Sequence, residues 1–143
     1  MHKRLPKDLF NLIWDLLDKV DRTGDENLRM THAARASQYH WGEIGEPLQF
    51  ERGEWQISRV YSVLGRSEPA LLHAEKCLSI CVENEIGDFY IAFAYEAMAR
   101  AYVLVGDQAT LEDYIAKSGK AGEEIEGQGN KDYFLGELKS IEN

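Results

Sequence analysis

The sequence predicts an all-α fold made of about three helical hairpins and a C-terminal capping helix. Apolar residues recur at three- and four-residue steps through almost the whole chain, which is the spacing of one helix face. We find no convincing alternation of apolar and polar residues of the kind that a half-buried strand shows. Turn signals rich in Gly, Pro, Asn and Asp separate the periodic segments. The predicted helices span residues 5–22, 25–41, 48–64, 68–86, 88–105, 108–126 and 131–141.

The first two hairpins cover residues 5–41 and 48–86. Each begins with an amphipathic helix and turns at a glycine, Gly24 in the first hairpin and Gly65 in the second. Glycine adopts the left-handed backbone conformation that commonly ends a helix, so both positions suit a turn. The apolar positions of the two leading helices are Leu9, Ile13, Leu16, Val20, Ile57, Val60, Tyr61 and Leu64.

The third hairpin covers residues 88–126, and the capping helix follows at 131–141. Asp88 is suited to act as the N-cap of the hairpin's first helix. Gly119 and Gly122 lie inside its second helix, where each costs roughly 1 kcal/mol relative to Ala. We therefore expect the capping helix to approach closely at these glycines. The apolar residues of the capping helix are Tyr133, Phe134, Leu135, Leu138 and Ile141.

A period of 41 residues relates the three hairpins. Gly24, Gly65 and Gly106 are each 41 residues apart, and each separates one predicted helix from the next. The same shift superimposes side chains of similar character on both flanks of the glycines, such as Val20, Tyr61 and Tyr102. A fixed period of this length indicates a helical repeat protein.

Composition limits the class of protein and its partners. The 143 residues suit one domain, and 44% hydrophobic with 29% charged residues is typical of a soluble globular protein. A net charge of -9 disfavours binding to nucleic acid or to anionic membranes. No signal peptide or membrane span is evident, and two cysteines four residues apart form no disulfide framework. We expect a cytoplasmic protein.

Two segments resemble the tetratricopeptide repeat family. Residues 57–65, followed by Ala70, Ala74 and Cys77, look like that family's first helix, glycine turn and small-residue second helix. Residues 98–107 repeat the first-helix half. The resemblance, to a long-helix variant of the family, implies a right-handed α-α superhelix with a concave groove. HEAT-like pairing of the helices has a similar period and is the alternative.

By this resemblance the groove is lined by side chains from the first helix of each hairpin. The expected peptide-binding residues are Trp14, Arg52, Trp55, Arg59, Phe93, Glu96 and Arg100, with Ser62, Val63 and Val103 beyond them. The arginines would pair with ligand carboxylates, the rings would supply apolar contact, and Glu96 would orient an arginine or a ligand donor. In the alternative interpretation, Trp14 and Trp55 are core residues and Glu96 forms an ordinary helix pair with Arg100.

A second group of residues has the chemistry of a zinc site. His73, Cys77 and Cys81 form a stripe along one helix, and His32 and His40 form a similar stripe one hairpin earlier. Imidazole and thiolate are ligands that zinc prefers, so a zinc enzyme or sensor is the alternative function. Close packing of small side chains explains the same positions, and we favour that interpretation with no metal bound.

The sequence contains no enzyme motif that identifies a catalytic residue. Phosphate-binding glycine loops, a His-Glu-x-x-His zinc motif and a Gly-x-Ser-x-Gly nucleophile motif are all lacking. We therefore predict a noncatalytic protein-interaction or adaptor module that needs no cofactor and binds an acidic, apolar peptide or protein. A structural subunit that forms a homodimer through its capping helix is a further alternative.

Overall fold

The computed structural model of the chain describes residues 12–17, 19, 21–44 and 46–142, and only the backbone of residues 37–44 and 142. Seven helical segments lie within this part of the chain, and none of its residues forms a strand. They are α1 (12–17), α2 (Gly24–Ile44), α3 (Pro47–Val63), α4 (Ser67–Glu83), α5 (Asp88–Val105), α6 (Gln108–Glu123) and α7 (Gln128–Glu142). The predicted all-α class is confirmed. Of the first predicted helix, residues 5–22, the part over residues 5–11 lies outside the described residues, and residues 19, 21 and 22 are not helical.

The glycines of the 41-residue period do not play the same structural role. Gly65 and Gly106 have φ angles of +74° and +85°, which L side chains rarely adopt, and they form the turns after α3 and α5. Gly24 is the first residue of α2 and does not have a positive φ. A reciprocal pair caps that helix: Glu26 N–H donates to Thr23 Oγ1, and Thr23 N–H donates to Glu26 Oε1, both at 3.1 Å.

The expectation that Asp88 caps its own helix is wrong. Gly87 occupies the N-cap position of α5 and makes no side-chain cap. Asp88 has a φ of +54°, and its Oδ1 accepts a hydrogen bond of 2.8 Å from the backbone N–H of Glu126. The Asp88 carboxylate thus accepts a backbone hydrogen bond from the loop between α6 and α7, because that loop returns to the start of α5.

Consecutive helices from α2 to α6 pack on their neighbours, and α3 also packs on α5. The apolar core has two parts. The first part contains residues of α1, α2, α3 and α4, together with Ala101 of α5. Its larger members are Ile13, Met30, Ile57, Val60 and Tyr61. The second joins α3, α4, α5 and α7; its larger members are Trp55, Phe93, Met98, Phe134 and Leu138. Helix α3 belongs to both parts and links them.

The capping helix α7 packs on α5 and α6. The ring of Phe134 is fully buried and lies edge-on to Phe93, with 4.8 Å between ring centroids. A Cβ atom added at Gly122 would lie 2.6 Å from Phe134 Cε2, so the predicted close approach is confirmed there. At Gly119 the nearest atom, Cδ2 of Leu138, would be 4.0 Å away, which is ordinary contact. Glycine is therefore needed for packing at only one of the two positions.

Within the described helices, none combines the length and the apolar character that a bilayer-spanning segment requires.

Candidate functional site

Side chains from α1, α3, α5 and α7 surround a cavity of about 80 Å³, which we call the first cavity. Five of the seven residues expected in the groove line it: Trp14, Arg52, Trp55, Arg59 and Phe93. Phe89, Tyr133 and Glu137 complete the lining. The cavity is large enough for one side chain of a ligand but too small to enclose a drug-sized molecule.

The aromatic rings of the first cavity form a continuous row of tilted and edge-to-face contacts. The ring centroids of Trp14 and Trp55 are 5.5 Å apart, those of Trp55 and Phe93 are 5.7 Å apart, and those of Phe93 and Phe89 are 4.7 Å apart. Trp55 and Phe93 are buried, whereas Trp14 is half-buried. These rings belong to the core and also present an edge to the cavity, so the two interpretations of Trp14 and Trp55 are compatible.

Arg52 adds a positive charge to this row of rings. Its guanidinium carbon lies 5.7 Å from the ring centroid of Trp55, 5.8 Å from that of Phe89 and 5.3 Å from that of Tyr90. Cation–π contact of this kind holds a flat guanidinium against aromatic faces. The arrangement links α3 to α5 and leaves a cationic group at the wall of the cavity.

A cluster of ionic side chains borders the first cavity. Glu96 is fully buried on α5 and contacts Arg59 Nη1 at 3.5 Å as well as Arg100 Nε. Glu137, from α7, places Oε2 3.4 Å from Arg59 Nη2 and 3.3 Å from Arg100 Nη2. Arg100 Nη2 also donates to the Glu137 carbonyl oxygen at 3.1 Å and to Ser140 Oγ at 3.0 Å. The structure thus makes two arginines share two carboxylates.

Burial and charge act in opposite directions on Glu96. Burial raises the pKa of Glu96 above its ordinary value, and the guanidiniums of Arg100 and Arg59 oppose that rise. One carboxylate oxygen, Oε2, has no hydrogen-bond partner among the described residues. The two arginines are therefore the groups that favour an ionised carboxylate in this buried position.

A second cavity, of about 250 Å³, adjoins the first and shares Arg59 with it. Its lining consists of Arg59, Ser62, Val63, Arg100, Val103, Leu104, Ser140 and Ile141. Val63, Val103 and Leu104 are 40%, 47% and 38% exposed. The first cavity, the ionic cluster and the second cavity together form a surface that we call the groove. All seven expected groove residues lie in it or, in the case of Glu96, directly beneath it.

The contribution of α7 to the groove was not predicted from the sequence. Tyr133 and Glu137 were not expected there, because the last helix was expected to cover the end of the repeat or, in the alternative, to form a homodimer. A signal was present: the two residues are four apart and share a helix face beside the apolar side of α7. Phe89 was also not predicted, although it lies four residues before Phe93 and therefore shares its helix face.

Among the described side chains, those considered for zinc do not gather into a metal site. His73 Nδ1 lies 2.5 Å from Glu54 Oε2, and Cys77 Sγ donates to Glu51 Oε1 at 3.1 Å. His32 is exposed on α2, and the side chain of His40 lies outside the described residues. No group of three His, Cys, Asp or Glu side chains that could hold a metal ion occurs among the described residues.

The carboxylates that meet these residues were not expected from the sequence. Glu51 and Glu54 lie on α3 and are buried against α4. Burial raises the pKa of Glu51 to about 7, and the nearby thiol of Cys77 and the charge of Arg52 only partly oppose that rise. A hydrogen bond with Cys81, burial and the neighbouring Glu51 also raise the pKa of Cys77. Because a low pKa activates a thiol, Cys77 has the character of a packed residue and not of a nucleophile.

No family model, curated protein or solved structure matches the chain. The function is therefore proposed from the chemistry of the groove itself.

Proposed function

We propose that the protein is a noncatalytic interaction module that binds a peptide or protein segment in its groove. The observation that carries the proposal is the convergence of rings and guanidiniums from four separate helices on the first cavity. Arginine and tryptophan are enriched at the energetic centres of protein interfaces, since they combine large flat surfaces with directed hydrogen bonds. The ligand chemistry that suits this surface is an apolar side chain next to a carboxylate.

The charge of the groove supports an acidic ligand. Three arginines, Arg52, Arg59 and Arg100, lie in the groove, and Arg59 and Arg100 share the carboxylates of Glu96 and Glu137. The chain as a whole is acidic, with a net charge of -9, so the presence of three arginines on one surface stands out. An acidic segment would be attracted to the groove and repelled elsewhere, which favours one binding register.

The arrangement that we propose for the helices is a tetratricopeptide-like superhelix. Its support is that α3 packs on both α4 and α5, as the first helix of one hairpin contacts that of the next in such repeats. Cys77 and Cys81 are buried free thiols, which suits the reducing cytoplasm that we propose as its location. A homodimer would use a surface other than the apolar side of α7, because Phe134 and Leu138 are buried within the chain.

A peptide titration tests this function. The probes are the acetylated, amidated pentapeptide Glu-Phe-Glu-Phe-Glu and its matched form Gln-Phe-Gln-Phe-Gln, both followed by the fluorescence of the tryptophans. We expect the acidic peptide to bind more tightly than the neutral one and its affinity to fall with added salt. Arg52→Gln should weaken the acidic peptide about fivefold, roughly the effect of one partly exposed charge.

The matched control is Arg29→Gln, which removes the same charge from an exposed position on α2 outside both cavities. We expect it to leave the affinity within about twofold of wild type. Equal affinity for the two peptides, or equal weakening by the two substitutions, would reject the groove as an acidic-peptide site.

A further inference from the structure

Glu137 occupies the position in the groove where a ligand carboxylate would bind. Its Oε2 lies 3.4 Å from Arg59 Nη2 and 3.3 Å from Arg100 Nη2, so one acceptor oxygen is shared between two guanidiniums. Both distances are longer than the 2.7 to 2.9 Å typical of strong charge-assisted hydrogen bonds. The Glu137 side chain is also 28% exposed. An incoming carboxylate could therefore reach the same guanidiniums while Glu137 turns towards solvent.

The two cavities lie on either side of this contact. The first cavity contains Glu137 and Arg59, and the second contains Arg59 and Arg100. Aromatic rings dominate the first cavity, whereas aliphatic Val63 and Leu104 are partly exposed at the second. The groove thus has an aromatic section, a cationic section and an aliphatic section in that order. Alternate side chains of an extended peptide project to the same face, so three such side chains could enter the three sections.

We infer that the groove recognises an extended segment in which a carboxylate is flanked by two apolar side chains, and that this carboxylate replaces Glu137 on Arg59 and Arg100. The inference rests on the proposed function. It adds the order of apolar and acidic side chains in the ligand and names the group that limits the ligand's affinity. Glu137 acts as a built-in competitor, because its carboxylate must leave the guanidiniums before a ligand carboxylate can bind them. The partner class is an acidic, apolar segment of another protein, bound without a change in the packing of Phe134.

The test measures peptide affinity for the full chain. The probe is acetylated, amidated Phe-Ala-Glu-Ala-Leu, and its matched form has Gln in place of Glu. We expect Glu137→Gln to bind the Glu peptide about fivefold more tightly than wild type, since a partly exposed charge pair no longer competes. The Gln peptide should show no such gain. Glu124→Gln is the control, because it makes the same charge change at an exposed residue outside both cavities.

The possible outcomes separate this inference from the proposed function. The inference would be overturned if the Glu peptide binds measurably but Glu137→Gln shows no gain in affinity, or if Glu124→Gln shows an equal gain. In either case the groove would remain a binding site. Failure of wild type and both variants to bind either peptide would reject the proposed function as well. If Glu137→Gln does not fold, Glu137→Asp decides, because its shorter side chain withdraws the carboxylate while keeping the charge. It should then show the gain, and an affinity equal to that of wild type would overturn the inference.

Discussion

Two buried glutamates, on the packed helices α5 and α3, differ in the groups that surround their carboxylates. Glu96 on α5 is fully buried and lies between Arg59 and Arg100. Glu51 on α3 is 1% exposed and meets the thiol of Cys77, and its Oε2 has no hydrogen-bond partner among the described residues. Burial raises the pKa of both carboxyl groups, but two guanidiniums oppose that rise at Glu96, whereas the pKa of Glu51 reaches about 7. The difference separates an ionic region beneath the groove from a core carboxyl group whose protonation changes near neutral pH.

The largest effect is expected from reversing the charge beside Glu96. The double variant Arg59→Glu, Arg100→Glu leaves a buried carboxylate next to two further carboxylates and removes both partners of Glu137. Breaking a buried pair costs about 3 to 5 kcal/mol, so we expect the variant to be largely unfolded. Urea denaturation followed by circular dichroism measures the loss. A cost below about 1 kcal/mol would mean that the arginines do not support Glu96.

The next effect is the pH dependence caused by Glu51. Its pKa is raised on folding from 4.5 to about 7, so the protonated form is favoured in the folded state. This contribution to the free energy of unfolding is complete below pH 4.5, declines as the pH rises, and is lost above about pH 7. The shift corresponds to about 3 kcal/mol. Glu51→Gln should remove this decline, so its stability relative to wild type should rise between pH 5 and pH 8.

Denaturation of the two proteins at several pH values measures that difference. The control Glu124→Gln alters an exposed carboxylate and should follow the wild-type curve. Parallel curves for wild type and Glu51→Gln would show that folding does not raise the pKa of Glu51, and the contrast with Glu96 would disappear.

The smallest effect is expected from a substitution at Gly122, where α6 contacts Phe134 of α7. In Gly122→Ala the new methyl group would lie 2.6 Å from a ring atom of Phe134, so the ring and α7 must shift. The strain costs roughly 1 to 3 kcal/mol and is reduced by about 1 kcal/mol through the better helix propensity of alanine. Thermal unfolding should show a net loss of about 1 kcal/mol. Because α7 also carries Glu137, the same shift should loosen its contact with Arg59.

Gly119→Ala is the matched control, since its new methyl group meets Leu138 only at 4.0 Å. It should be neutral or stabilising by up to about 1 kcal/mol. If both alanine variants behave alike, the close approach of Phe134 is not what requires glycine at residue 122.

Local patterns in the sequence determined the helices of this protein. Apolar spacing and turn chemistry act over a few residues, and for this reason the predicted bounds of α3 and α5 agree with the structure to within a residue. The set of groove residues was predicted from a family resemblance, which already encodes how such helices stack. The structure brings five of these residues to one cavity.

Only the tertiary structure decided which charges meet. Arg59 and Glu137 are 78 residues apart, Asp88 and the backbone of Glu126 are 38 apart, and Cys77 and Glu51 are 26 apart. No local pattern pairs such residues, since their energies depend on the approach of whole helices and on the burial that results. The sequence by itself therefore determined where the helices lie and which face of each is apolar. The packing of α7 decided that the groove contains a carboxylate of its own, because burying Phe134 against Gly122 and Phe93 also brings Glu137 to the two arginines.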